Sequence, residues 1–129
     1  KRDFIKIFIF DMLIGHLDRH SGNIVIQLNK PYHAWGIDNE NIIDAPNLGR
    51  PTTMGNIAFV HGVLPFIEGA KIPDDIMQKV RDLQFEDFVT ATAGATRAQQ
   101  ELAWKRRDVI LTWKTIPTRD WFEHRAGDV

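Results

Sequence analysis

The chain has 129 residues, about one domain's worth of sequence, so two separate cores are excluded. Hydrophobic residues make up 43% and charged residues 26%, which excludes disorder along the whole chain. Sixteen Lys/Arg against seventeen Asp/Glu leave a formal charge of −1, without the basic excess of a nucleic-acid binder, and the lack of Cys excludes disulfides and thiolate zinc sites.

In chain order, residues 3–15 place Ile5, Phe8, Ile9, Met12 and Leu13 at helical spacing, with Ile7, Phe10 and Ile14 on another face. A helix apolar nearly all round is a central, buried one, and Gly15 is its expected stop. The same stretch is too short and too interrupted by Lys6 and Asp11 to span a bilayer, which takes ~20 apolar residues. It also lacks the small-residue cleavage site of a signal peptide. A cytoplasmic location is therefore expected. The chain begins without Met at the edge of a helix, and it is expected to be cut from something longer.

Residues 16–23 read as a polar loop containing Gly22. Ile24–Ile26 is β-branched, Asn29-Lys30-Pro31 supplies a turn, and Ala34–Ile37 is a second short strand, together a hairpin. Asp38 to Asn56, rich in Asn, Pro and Gly, is a long irregular segment of the kind that is usually functional. Ile57–Ile67 is apolar and expected to hold one short helix ending near Leu64, before Pro65. Pro73-Asp74-Asp75 opens a helix whose inner stripe is Ile76, Val80 and Leu83, followed by a turn or two at Phe85, Phe88 and Val89. A weak spot at Ala91–Gly94 precedes a long helix from Thr96 to about Lys114, and the tail from Trp121 to Val129 gives no signal. The expected fold is α+β and mainly helical, one small hairpin surrounded by helices.

The chemistry is concentrated in residues 16–38. Phosphoryl transfer from a nucleotide needs a carboxylate beside the acceptor hydroxyl and oxygen ligands for Mg²⁺. Protein kinases meet the need with a loop of the form H-R-D-x-x-x-x-N and a later Asp. His16-x-Asp18-x-x-x-x-Asn23 repeats that spacing, and Asp38 follows the hairpin, where the second metal carboxylate belongs.

The segment Asp18-Arg19-His20-Ser21-Gly22-Asn23 resembles the D-R-H-x-x-N catalytic loop of phosphatidylinositol 3-/4-kinases and of HipA-like atypical kinases. Gly36-Ile37-Asp38-Asn39 is similar to their metal-binding element, and Phe10–Gly15 to the helix that leads into the loop. The resemblance covers the first third of the chain. It implies a kinase-like C-terminal lobe, with ATP as substrate, Mg²⁺ as cofactor and a hydroxyl acceptor that is a protein, a lipid or a small molecule. Asp18 would be the catalytic carboxylate, with His20 assisting proton movement or meeting the terminal phosphate. Asn23 and Asp38 would hold Mg²⁺ against the nucleotide, and Arg19 would brace this nucleotide-binding loop. Glu40 stands where these families carry Gly, and no Gly-rich loop or strand Lys is present, so the N-terminal lobe of such a kinase would be missing from these residues. Between Asp38 and Asn56 the single basic residue is Arg50, which disfavours a phosphoinositide acceptor.

Two other classes compete. A non-catalytic pseudokinase or interaction domain fits Glu40 and the absent lobe. A metal-dependent hydrolase could use His16, Asp18 and His20 as ligands, although three ligands at alternate positions converge poorly in a short loop. His33, His61 and His124 are expected to be surface or packing residues, the Lys105-Arg106-Arg107 run a solvated helix face, and Trp35, Trp104, Trp113 and Trp121 core or contact residues. Asp11, a carboxylate inside an apolar helix, either faces solvent or needs a buried partner.

Overall fold

The computed structural model describes residues 1–16, 19–36, 53–127 and 129. They form a mainly helical α+β structure built around one central helix. That helix, α1 (Arg2–Ile14), buries Ile5, Phe8, Ile9, Met12 and Leu13 and ends where Gly15 turns left-handed at φ 76°. The turn lets the Gly15 and His16 N–H groups both donate to the Asp11 carbonyl, at 2.9 Å each, which satisfies a helix end that would otherwise be orphaned.

A short 3₁₀ turn (Ser21–Asn23) leads directly into β1 (Ile24–Ile26), which pairs antiparallel with β2 (Ala34–Gly36). Ile24 faces Gly36, Val25 faces Trp35 and Ile26 faces Ala34. Asp3 docks this hairpin onto α1: its Oδ2 accepts from Ala34 N at 2.9 Å and lies 3.0 Å from His33 Nδ1. Partial burial pushes the Asp3 carboxyl up, but the hydrogen bonds from Ala34 and His33 outweigh it and hold the group below its ordinary value.

The apolar run 57–67 contains two helices rather than one. Helix α2 (Met54–Val60) is capped by the Thr53 hydroxyl, which accepts from Asn56 N at 3.1 Å, and it stops at His61. Helix α3 (Leu64–Ile67) then carries Pro65 in its first turn, where the missing N–H has no helical partner to lose. The break falls at His61-Gly62, ahead of the proline.

Helix α4 (Asp74–Asp82) begins after Pro73 and turns Ile76, Met77 and Val80 inward. Helix α5 (Phe85–Ala91) ends where Ala91–Gly94 predicts a weak spot. Helix α6 (Arg97–Ile110) opens on a full capping box, in which Thr96 Oγ1 accepts from Gln99 N and Gln99 Oε1 accepts from Thr96 N. It ends four residues earlier than Lys114, in a turn that carries Trp113 into the core. Helix α7 (Arg119–His124) occupies the otherwise silent tail and packs on α2.

The core lies where α1 meets α2, α3 and α6. Phe8, Met12, Met54, Ile57, Leu64, Ile67, Ile110 and Ile116 are fully buried there. Each such side chain contributes roughly 1.5–3 kcal/mol relative to exposure. Phe122 of α7 closes one side, edge-on to Phe8 at 5.8 Å and to Trp113 at 5.7 Å. Trp35 is not part of the core: it is half exposed on the hairpin, where position 35 shares the outward face with Val25. No described helix is long and apolar enough to cross a membrane.

Candidate functional site

Asp11 opens the last turn of the central helix and has no exposed surface. A carboxylate stripped of water costs several kcal/mol unless cations and donors replace the water. Two residues supply them. Arg19 grips Asp11 with a two-pronged contact, Nε to Oδ2 at 2.9 Å and Nη2 to Oδ1 at 3.1 Å. His61, fifty residues on, places Nε2 2.7 Å from the same Oδ2. The His61 Nδ1 accepts from Val63 N at 3.2 Å, so in the neutral ring the proton resides on Nε2 and points at the carboxylate. All three residues are at least 96% shielded from solvent.

Arg19 is itself part of the polar loop. Its third nitrogen, Nη1, donates to the Asn23 carbonyl at 3.1 Å, across the loop. Its own carbonyl accepts from Gly62 N at 2.7 Å. The guanidinium also explains Gly36: a Cβ there would lie 2.8 Å from the Arg19 guanidinium carbon, closer than any side chain tolerates. The Arg19 side chain, the α1 helix and the second strand are thus locked to one another around a single buried charge pair.

Arg106 reinforces the end of the same helix. It reaches from α6 to donate Nε to the Met12 carbonyl at 2.8 Å and Nη2 to the Leu13 carbonyl at 3.1 Å. These carbonyls lie in the last turn of α1, where a cation is favoured by the helix dipole. Burial pushes the Arg106 guanidinium down to about 10, which leaves it charged at neutral pH. The expected solvated basic face is therefore corrected for Arg106. Arg107 also leaves bulk solvent, stacking 4.4 Å over the Trp104 ring and donating to the Val80 and Arg81 carbonyls. Lys105 alone of the three is exposed.

The sequence-predicted residues fall as follows. Asn23 is buried where the 3₁₀ turn meets β1. His16 is buried just past the end of α1, whereas His20 is exposed and accepts from Gly22 N through Nδ1 at 3.0 Å. Arg19 is buried against Asp11. Asp18 and Asp38 lie outside the described residues, as do Glu40 and Arg50. Among the described residues no three His, Asp or Glu side chains gather as a metal-binding group.

His61 is a buried partner of Asp11, and Asp11 faces that partner rather than solvent. The lone carboxylate in an apolar helix was a legible signal for Asp11. Nothing local marks His61, because its partner lies on another helix.

An open cavity of about 770 Å³ lies between the first half of α1 and β2, with Lys6, Phe10, Tyr32 and Trp35 on its walls and Arg19 at its back. Comparison with protein-family models finds no match, and comparison with curated proteins and with solved structures finds none either.

Proposed function

We propose that the chain is the catalytic lobe of a kinase-like phosphotransferase, moving the γ-phosphoryl group of ATP to a hydroxyl acceptor. The observation that supports this reading is the buried anchoring of Arg19, next in sequence to Asp18, to Asp11 and to the Asn23 carbonyl. A surface turn has no use for a sealed, two-pronged ion pair. A loop that must hold catalytic side chains to fractions of an ångström does.

On this reading Asp18 accepts the proton of the acceptor hydroxyl as its oxygen bonds to the γ-phosphorus, and the bond to the bridging oxygen of ADP breaks. The donor set of one amide and two carboxylates (Asn23, Asp18, Asp38) is hard oxygen throughout and suits Mg²⁺, with Asn23 and Asp38 as its main holders. Bound there, Mg²⁺ would neutralise charge on the phosphate oxygens. His20 is exposed, with its Nδ1 accepting from Gly22 N, and on this reading it meets the terminal phosphate or assists a proton in transit. Arg19 acts from behind, its guanidinium turned to Asp11. The hydrolase alternative asks His16 and His20 to share one ion, and their opposite surroundings, one buried and one exposed, support the kinase-like reading over it.

The test is Asp18→Asn and Asp38→Asn in the protein that carries this chain, with Mg²⁺-dependent ADP formation and label transfer from γ-labelled ATP as readouts. The expected loss for Asp18→Asn is about 10²–10⁴-fold, with an unchanged circular dichroism spectrum. A folded parent protein that transfers nothing, or a variant that transfers as well as the parent, overturns the proposal. The first outcome is that of a pseudokinase.

A further inference from the structure

We propose that His61 is a positioning residue of this site: through Asp11 it holds Arg19, and with Arg19 the loop that carries Asp18 and Asn23. The inference rests on the phosphotransfer reading above. Its basis is that Gly62 bonds Arg19 directly while His61 shares with it one oxygen of Asp11. His61 Nε2 meets Asp11 Oδ2 at 2.7 Å, the same oxygen that receives Arg19 Nε at 2.9 Å. The next residue, Gly62, donates its N–H to the Arg19 carbonyl at 2.7 Å. The guanidinium and the backbone of one loop residue are therefore both fixed from the α2–α3 junction.

A histidine that merely filled space would leave its nitrogens to chance. Here both are committed. Val63 N–H occupies Nδ1, which puts the ring proton on Nε2, and the edge of Phe8 at 4.9 Å and 75° fixes the ring plane. The shared oxygen receives two donors, Arg19 Nε and His61 Nε2. If one is lost, Arg19 keeps its charge partner but gains freedom to pivot about it, and its link to the Asn23 carbonyl at 3.1 Å moves with it. Outer partners of this kind set the geometry of groups that touch substrate without touching it themselves.

Glutamine and asparagine separate the two nitrogens of the imidazole. His61→Gln keeps an N–H at the Nε2 position for Asp11. His61→Asn keeps an acceptor at the Nδ1 position for Val63 and loses the reach to Asp11. Both are measured beside His61→Ala in the protein that carries this chain, by kcat, by KM for Mg-ATP, and by amide exchange at Gly62 and Asn23. Expected is a fall in kcat of about ten- to hundredfold for Ala and Asn with little change in KM, faster exchange at both amides, and recovery of kcat and of both exchange rates by Gln. An Asn variant with parental kcat and exchange overturns the proposal. So does a Gln variant as impaired as Ala while melting at the parental temperature. Should Ala fail to fold, the Gln and Asn pair decides. If the parent protein transfers no phosphoryl group, the phosphotransfer reading falls by itself, and unchanged exchange at Gly62 and Asn23 in His61→Asn still overturns the positioning role.

Discussion

Asp11 shows how one residue sets the terms for its neighbours. Its carboxylate is sealed in the central helix, so whatever approaches it must neutralise it, and Arg19 and His61 do so together. Asp11→Ala leaves the Arg19 guanidinium buried and without its counter-charge. The expected loss is about 3–5 kcal/mol of folding stability, read as a lower urea midpoint. The double change Asp11→Leu/Arg19→Met removes both charges, and most of that stability is expected to return, because apolar groups of like volume replace a buried pair at little cost. Activity is not expected to return with it, since the loop loses its anchor. A double variant as unstable as Asp11→Ala would show that the charge pair is not what the single change disrupts. Asp11 was legible as an anomaly, a lone acid among Ile, Phe, Met and Leu. Its partners were not, because a pairing across fifty residues has no local pattern.

At the level of elements, capping and breaking residues decided the boundaries. Gly15, Pro73 and the Ala91–Gly94 stretch end or begin helices where their chemistry predicts. Pro65 misleads because proline is tolerated in a first turn, and the real stop is at His61-Gly62. The same junction holds Arg19, so an element boundary and the site share one cause. Helix α6 owes its start to the reciprocal Thr96–Gln99 bonds. Thr96→Ala removes one of them, and the expected cost is about 1 kcal/mol, visible as a lower thermal midpoint with the helix otherwise intact. An unchanged midpoint would mean that packing of α6 on α1 alone sets its start.

At the scale of the whole molecule, the helices close around α1 while the hairpin does not close over itself. Val25, Ile26, Leu28 and Trp35 remain exposed on it. Apolar surface of this kind is commonly the floor of a site or a contact with another chain segment. The sequence holds no Gly-rich loop and no strand Lys to grip phosphates from above. The 129 residues alone are therefore expected to bind Mg-ATP more weakly than about 1 mM, a free energy near −4 kcal/mol. Isothermal calorimetry measures it, and micromolar binding by this chain would show that the residues present suffice to hold the nucleotide.

The sequence by itself determined the helical character, the buried central helix and the short hairpin that follows the polar loop. These rest on periodicity, turn chemistry and spacing, all of which are properties of neighbouring residues. The tertiary structure alone decided that Arg106 leaves the solvated face to cap α1, that Trp35 stays outside, and that His61 and Arg19 meet at Asp11. Each depends on which helix lies opposite which, and a buried charge finds its partner through space rather than along the chain.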